Sequence, residues 1–585
     1  MGIDAATAGA DDVERLALTW TIPDAFGGMT AALLHRSRTL AAATGRPVQV
    51  LTFDPVLDLA EAEARVAERG GLAGVLLRNP FAEARGAGGR VRKARAAGVA
   101  VVEHLRADGS VALRDERIGE PGAARRRLVR VDADGHTTGS WDGAWAFYRD
   151  WIAELVGDRP AVAVVDSKTM APFAARLDLA SLATVHVVHA SHLSGSARPI
   201  APLRRSRWTA LSKPERFDAV VFLTERQRTD AEQLLTDAGA LRVIPNGRPL
   251  PPEPPRDRDR LAGLVVAGLT PRKRVEDAIA AVGLATKQGV AAHLTVIGDG
   301  PERARLERLA ADGEGEVTFT GHLGDAASRF ADASWMLLTS RSEGAPLVLV
   351  EAMARGCLPI AYDVPYGPAD LIEHGVNGFL VGAGDRGAAA AAIRAIATMP
   401  DEQLAAMRSA ARATAEAFDD EAVTRRWLQL EREVLAEHTA RSQVADGGRA
   451  AAAARDTVAV TRPRLRLRHG RLRFTCRLEG SAGEPVVISF RPRGTTRVLR
   501  RTAEPADGGR IRVTLDPEAT SFLARGRRIE VRLQWGRGAA MIDLRACLQH
   551  PDTRSVPRRL ADRLRSVLSP RRPRSGGPAD APGSA

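Results

Sequence analysis

Two carboxylates eight positions apart, Glu343 and Glu351, stand on either side of an expected helix start in Ser-Glu-Gly-Ala-Pro-Leu-Val-Leu-Val-Glu-Ala-Met-Ala-Arg-Gly, residues 342–356. Residues 336–340 (MLLTS) and 358–362 (LPIAY) read as buried strands, Pro346 suits the first helical position and Gly356 suits the stop. The segment is therefore a strand, loop, helix, strand unit. The stretch Gly344, Ala345, Pro346, Leu347 and Val348 supplies the turn and the free amides of a helix start, which bind phosphate. Glu343 before it and Glu351 one to two turns later can accept hydrogen bonds from hydroxyls. A phosphate with hydroxyls on both sides describes a nucleotide sugar. Any βα unit can carry two such glutamates by chance, so the surrounding elements decide.

Residues 17–80 alternate apolar runs (LALTW, PVQVLTF, LAGVLLRNP) with the helical pattern AALLHRSRTLAAATG, the rhythm of βαβ units on a parallel sheet. Between 86 and 142 the pattern becomes short alternating segments with turns at Asp108-Gly109 and Asp134-Gly135, which predicts a β-hairpin insertion. The βα rhythm returns with AVAVVDS, VHVVHASH and AVVFLTERQRTDAEQLL and ends at RVIPNG, where Asn246 reads as a hinge turn. After the proline-rich joint 249–255 a second series follows: GLVVAGL, HLTVIGDG, VTFTGHL, WMLLTS and LPIAY. The expected architecture is α/β, with two Rossmann-like domains at 1–250 and 251–438, the last helix crossing back to the first. A linker or frayed helix at 439–456, a β-sandwich-like module at 457–549 and a basic tail at 550–585 complete it. The module reads as a docking or oligomerising element, with acceptor binding as the sharper option. In the tail, Leu560, Leu564, Val567 and Leu568 share one helical face, which suits an anionic membrane surface; a plain basic tail is the other reading.

The run from Met336 to Val381, with EGAPLVLVEAMARGCLPIAYDVPYGPADLIEHGVNGFLV, resembles the signature of the family 4 retaining glycosyltransferases. Tyr362-Asp363-Val364-Pro365-Tyr366-Gly367-Pro368 is similar to a narrower branch, the poly(glycerol-phosphate) glucosyltransferases of teichoic acid synthesis and related protein O-glycosyltransferases. The resemblance implies the GT-B architecture, two βα domains facing across a cleft, and the branch carries a β-sheet insertion in the first domain. It implies that Glu343 touches the donor sugar, that the amides from Ala345 to Val348 hold the diphosphate, and that Glu351 holds the ribose. It places a diphosphate-binding lysine at Lys273, a sugar-contacting histidine at His192 or, second, at His189, and a glycine loop against donor phosphate and acceptor at Gly27 and Gly28. Relatives usually carry Arg-Leu where this chain has Gly268-Leu269; Arg272 or Arg274 are the residues that would replace the lost charge. The implied chemistry is metal-independent front-face transfer, with the acceptor proton passing to the departing phosphate.

The residues themselves add to this. Lysine supplies only five of the 84 basic side chains, so a lysine at 273 is a less random choice than an arginine would be. Gly27 and Gly28 lack the three-glycine spacing of a dinucleotide fingerprint. His186, His189 and His192 have spacing that allows a metal, but strand alternation splits His186 from His189 and no acidic or thiol partner lies nearby in sequence, so no metal is expected. Asp166 and Ser167 either line an acceptor cleft or form a simple strand-end turn.

At 585 residues and 44% hydrophobic the chain reads as several globular domains. Its formal charge of +13 points to polyanionic partners, while three Tyr and fourteen Phe leave few stacking platforms, so nucleic acid is not expected. The expected partners are a nucleotide sugar, UDP-glucose or UDP-N-acetylglucosamine, with no other cofactor, and an anionic polymer or lipid-linked acceptor. Peripheral membrane contact through the tail and self-association complete that set. No run approaches the ~20 apolar residues of a membrane span and the start lacks a leader pattern, which predicts a cytoplasmic protein. Cys357, Cys476 and Cys547 are too scattered for a zinc or disulfide framework; a Cys476–Cys547 bridge is less favoured than two buried thiols. Against the enzyme stands a noncatalytic GT-B partner that binds glycosylated or polyanionic chains.

Overall fold

A computed structural model describes residues 12–24, 27–96, 99–119, 125–194, 201–211, 214–235, 241–251, 258–448, 459–468, 471–479, 486–492, 498–523, 528–535 and 544–549. Two parallel sheets organise it. The first runs in spatial order Leu241–Val243, Ala219–Phe222, Leu182–Val188, Ala161–Val165, Glu14–Leu18, Val48–Leu51, Val75–Arg78, every neighbour parallel. Its central strands are buried on both faces because helices cover them: all five residues of Ala161–Val165 and all seven of Leu182–Val188 are buried, Thr184 and His186 included. The second runs Glu316–Gly321, His293–Ile297, Ala262–Val266, Trp335–Leu338, Leu358–Tyr362, Phe379–Val381, again parallel throughout.

Each sheet reverses its strand order once. The reversal falls between Glu14–Leu18 and Ala161–Val165 in the first domain, and between Ala262–Val266 and Trp335–Leu338 in the second. Loops leaving the carboxyl ends of those four strands therefore diverge and open a crevice, which is where such sheets bind ligands. This is the two-domain GT-B arrangement that the sequence pattern predicts.

The insertion is larger than a hairpin: Arg90–Ala96, Val99–Leu105, Val111–Ile118, Arg125–Val131 and Thr137–Asp142 form a five-stranded antiparallel meander. The two expected Asp-Gly turns are present, with Gly109 and Gly135 at φ 88° and 87°, conformations that a side chain disfavours. The C-terminal module consists of a three-stranded sheet, Ala459–Arg468, Arg471–Glu479 and Arg510–Leu515, and a four-stranded sheet, Leu499–Ala503, Val486–Pro492, Arg528–Trp535 and Leu544–Gln549. Phe474 of one meets Phe490 of the other edge-on at 5.8 Å. Cys476 is buried in that core and free, so it forms no bridge to Cys547. The module docks on the first domain, where Arg491 lies over the Trp208 ring at 5.4 Å.

One boundary differs from expectation. The helix Asp420–Gly448 returns to the first domain, pairing Glu431 with Arg15 at 2.9 Å and His438 with Asp218 at 3.0 Å, and continues ten residues into the stretch expected as a linker or frayed helix. Those ten residues, TARSQVADGG, hold no proline, and their glycines come only at Gly447 and Gly448, where the helix ends. The basic tail, with its apolar face at Leu560 to Leu568, lies outside the described residues. No helix among the described residues is long and apolar enough to cross a membrane.

Candidate functional site

At the second domain's switch point the loop after Ala262–Val266 meets the loop after Trp335–Leu338. The Arg341 amide donates to the Arg272 carbonyl at 2.8 Å and the Thr339 hydroxyl donates to the Arg274 carbonyl at 2.8 Å, so the two loops are one unit. From it Lys273 Nζ reaches Glu343 Oε1 at 2.7 Å, and Arg272 reaches the same oxygen at 3.0 Å. Burial alone would push the Glu343 carboxyl up; Lys273 and Arg272 outweigh it and hold the group below its ordinary value. Arg274 turns elsewhere. It stands at the start of the next helix in a left-handed conformation, φ 47°, and pairs with the fully buried Asp277 at 2.7 Å, a carboxylate that Arg386 also holds at 2.6 Å. Of the two residues expected to replace the missing arginine at 268, only Arg272 faces Glu343. At Gly268 itself an added Cβ would meet nothing within 4 Å.

The helix Leu347–Ala354 follows, with Pro346 at the capping position rather than the first helical one and Gly356 at φ 65° just past its end. The amides of Leu347 and Val348, in the first turn, have no intrahelical acceptor. Glu351, in the second turn, accepts a 2.8 Å bond from Nε of Arg248, a residue that carries no motif signal. Arg248 is fixed in turn by its amide, which donates to the Phe418 carbonyl at 2.9 Å.

The first domain supplies the facing wall. Gly27 and Gly28 begin the helix Gly28–Thr44, and an added Cβ at either would meet nothing, so the backbone there is open to a ligand. Behind them Asp166, fully buried, accepts both guanidinium nitrogens of Arg36 at 3.0 and 2.6 Å and lies 2.6 Å from His189 Nε2. Burial opposes the charge on Asp166, but Arg36 and His189 outweigh it and hold this carboxyl far below its usual range. An ionised acceptor fixes the proton of His189 on Nε2. Asp166 is thus an anchor within the wall and not a cleft-lining group. The carbonyl of His189 approaches Gly344 so closely that a Cβ there would stand 2.0 Å from it, which is why this loop carries glycine.

His192, expected to touch the donor sugar, is fully buried: its ring stacks on Tyr366 at 5.7 Å and meets Phe222 at 5.9 Å. It packs the two domains together, while His189 is held by Asp166. His186 is equally buried and its pKa falls to about 4, through burial first and then the charge of Arg207. The segment 362–368 extends the same junction: the Tyr366 hydroxyl donates to Asp230 at 2.8 Å, and the Arg226 amide donates to Asp370 at 2.8 Å.

Fold, switch-point crevice and paired cations define the class, a GT-B protein with a candidate donor site on its second domain. Residues 250–414 match the Glycosyl transferases group 1 family. The chain carries that domain and resembles the enzymes of teichoic acid synthesis. It is 35% identical over 230 residues to an exopolysaccharide phosphotransferase of Streptomyces coelicolor, covering 37% of this chain and 24% of that one. It is 24% identical over 240 residues to the poly(glycerol-phosphate) alpha-glucosyltransferase of Bacillus subtilis, covering 40% and 35%. A 24% match over 200 residues joins it to the poly(ribitol-phosphate) alpha-N-acetylglucosaminyltransferase of Staphylococcus aureus, covering 34% and 39%. The chain thus spans between a quarter and two fifths of the length of these relatives. Among solved structures, S. aureus TarM with Fondaparinux, alpha-GlcNAc-glycerol and UDP superposes with a TM-score of 0.56 at 18% identity, covering 72% of this chain and 99% of that one. The pneumococcal O-GlcNAc transferase GtfA with UDP and GlcNAc gives the same TM-score, identity and coverage, and at this identity both speak to the fold.

Proposed function

We propose that this chain is a retaining glycosyltransferase that moves a hexose from a UDP sugar, glucose or N-acetylglucosamine, to a cell-envelope acceptor such as a poly(glycerol-phosphate) chain. The observation that carries the reading is the convergence of Lys273 and Arg272 on Glu343 beside the first turn of the Leu347–Ala354 helix. Without a donor, Glu343 occupies both cations. A diphosphate carries more charge and takes them over, which frees Glu343 to accept sugar hydroxyls while Glu351, steadied by Arg248, accepts those of the ribose.

In the transfer the bond from the anomeric carbon to the phosphate oxygen breaks and a bond to the acceptor oxygen forms on the same face. The acceptor proton passes to the departing phosphate. Charge grows on that phosphate, and Lys273, Arg272 and the helix amides meet it, so no metal is required. The names of the B. subtilis and S. aureus relatives support the acceptor class, and UDP in the solved relatives supports the donor. Supply of such donors places the reaction on the cytoplasmic side. Gly268 favours a second reading, a noncatalytic partner that binds glycosylated chains.

Release of UDP from UDP-glucose and UDP-N-acetylglucosamine, with and without teichoic acid and with EDTA present, separates the two. Turnover should survive EDTA, and Lys273→Ala and Glu351→Ala should each lower it by on the order of 10²–10³-fold. Equal turnover in both variants would refute the site, and no turnover by the wild type would favour the partner.

A further inference from the structure

The three-stranded sheet of the C-terminal module turns one face inward and one to solvent. Leu472, Phe474, Cys476, Leu478, Ile511 and Val513 fill the core, and the alternate positions face out. Those outward positions are arginine almost throughout: Arg464, Arg466, Arg471, Arg473, Arg477, Arg510 and Arg512 are all exposed. The register sets like charges directly opposite one another, Arg466 across from Arg473 and Arg477 across from Arg510. Like charges so placed destabilise a sheet. Positions 461–478 and 510–515 contain no Asp or Glu. The ion pair of Arg491 with Glu530 lies on the other sheet. Arg477 donates to the Gly508 carbonyl at 2.8 Å, but among the described residues none of these seven arginines has an acidic partner, so an arrangement that costs stability leaves its charge for an external one.

We infer that this face is a binding surface for an extended phosphodiester polymer. Arginines on alternate residues stand about 6.6 Å apart along a strand and about 4.8 Å apart across strands, a flat lattice of guanidinium forks that a flexible chain can lie along. Lipid surfaces and nucleic acid fit it less well. Among the described residues, no large apolar side chain is exposed on this face to enter a bilayer, and no aromatic ring is exposed there for a base to stack on. The inference is independent of the donor chemistry, because binding is read without nucleotide sugar; a chain inactive toward UDP sugars could still carry this surface.

The test uses the full chain and purified poly(glycerol-phosphate), with Kd followed against salt by fluorescence anisotropy of labelled polymer. Replacing Arg464, Arg466, Arg473 and Arg512 with Gln should weaken binding at least tenfold at low salt. It should also flatten the plot of log Kd against log salt by about 3, four charges at about 0.7 each, taking single-stranded polyanions as the guide. The melting temperature should hold or rise. An unchanged Kd and slope overturns the inference, as does tighter wild-type binding to vesicles of equal parts phosphatidylglycerol and phosphatidylcholine, or to single-stranded DNA. A second measurement needs no variant: polymer should protect arginines 462–477 and 510–512 of the wild type from phenylglyoxal, and protection confined to other arginines overturns the inference equally.

Discussion

On the insertion sheet Arg92 lies directly across from Glu103 and binds it, and Arg127 lies across from Asp142. On the C-terminal sheet Arg466 lies across from Arg473. Both sheets are antiparallel, arginine-rich and appended to the same first domain, but the insertion strands carry Glu103, Asp115, Glu116 and Asp142 among their cations, whereas 461–478 and 510–515 carry no acid. The insertion pairs Arg92, Arg125 and Arg126 with those acids, although Arg117 lies across from Arg126, and it packs against the helix Ala144–Val156, whereas the C-terminal sheet keeps its cations for solvent or ligand. The cleft is a third case: Lys273 and Arg272 share Glu343, and Arg248 holds Glu351, so its cations are paired but exchangeable. A buried pair that holds structure, a paired site that trades partners and an unpaired face that waits for one are three uses of a single residue type.

The largest effect should come from breaking a pair on the insertion. Arg126 donates two bonds, 2.8 and 2.7 Å, to Asp115, whose side chain is 3% exposed. Arg126→Gln leaves that carboxylate buried with a neutral partner and should lower unfolding stability by about 3 kcal/mol in urea denaturation. The same change at Arg466 relieves a repulsion and should cost nothing. Equal losses at the two positions would remove the distinction between the sheets.

The domain architecture was legible because buried parallel strands are continuous apolar runs; the expected LPIAY strand is the observed Leu358–Tyr362. Asp-Gly turns announced the meander for a similarly local reason. Lys273 and Glu343 could each be singled out through the resemblance, but not that they bind each other. Arg248 and Arg36 left no signal. In a chain with 84 basic residues one more arginine is silent until the fold sets it beside Glu351 or Asp166. His192 follows the end of its strand, where alternation does not say which way a ring points, so its packing against Tyr366 and Phe222 was not legible. Of the two readings of 439–456, linker or frayed helix, the helix holds as far as Gly448.

A somewhat smaller effect is set by pH, again where the insertion meets the first domain. His104 stacks on Phe81 at 5.0 Å and faces Arg85 at 3.0 Å; burial, then that charge, lowers its pKa to about 4. The unfolded chain takes up this proton near pH 6.5 and the folded one does not until about pH 4, so the unfolded state binds more protons in between. Stability is therefore complete above pH 6.5 and falls as pH drops toward 4, by up to about 2 to 3 kcal/mol from this residue. His104→Gln, which keeps an acceptor for Arg85, should flatten that slope in urea titrations from pH 7 to 4. An unaltered slope would mean that the surrounding charges, and not this histidine, govern it.

The smallest effect tests the cleft as the case between. Gly268 leaves open space where the resemblance puts an arginine, and Arg274 is committed to Asp277, so one cation fewer faces the donor phosphates. Gly268→Arg would add a cation with no carboxylate waiting for it. On the C-terminal sheet such a charge is a cost until a polyanion arrives; in the cleft it should behave the same way, neutral or slightly destabilising in the free protein and favourable once the diphosphate binds. A charge-assisted hydrogen bond to phosphate is worth about 1.5 kcal/mol, so kcat/KM for UDP release should rise by up to about tenfold. A rise in kcat as well would place the added charge on the departing phosphate in the transition state, and a fall in KM alone would place it on the bound donor. No change in either would mean that Arg272 already supplies what position 268 lacks, and the cleft would then count as fully paired.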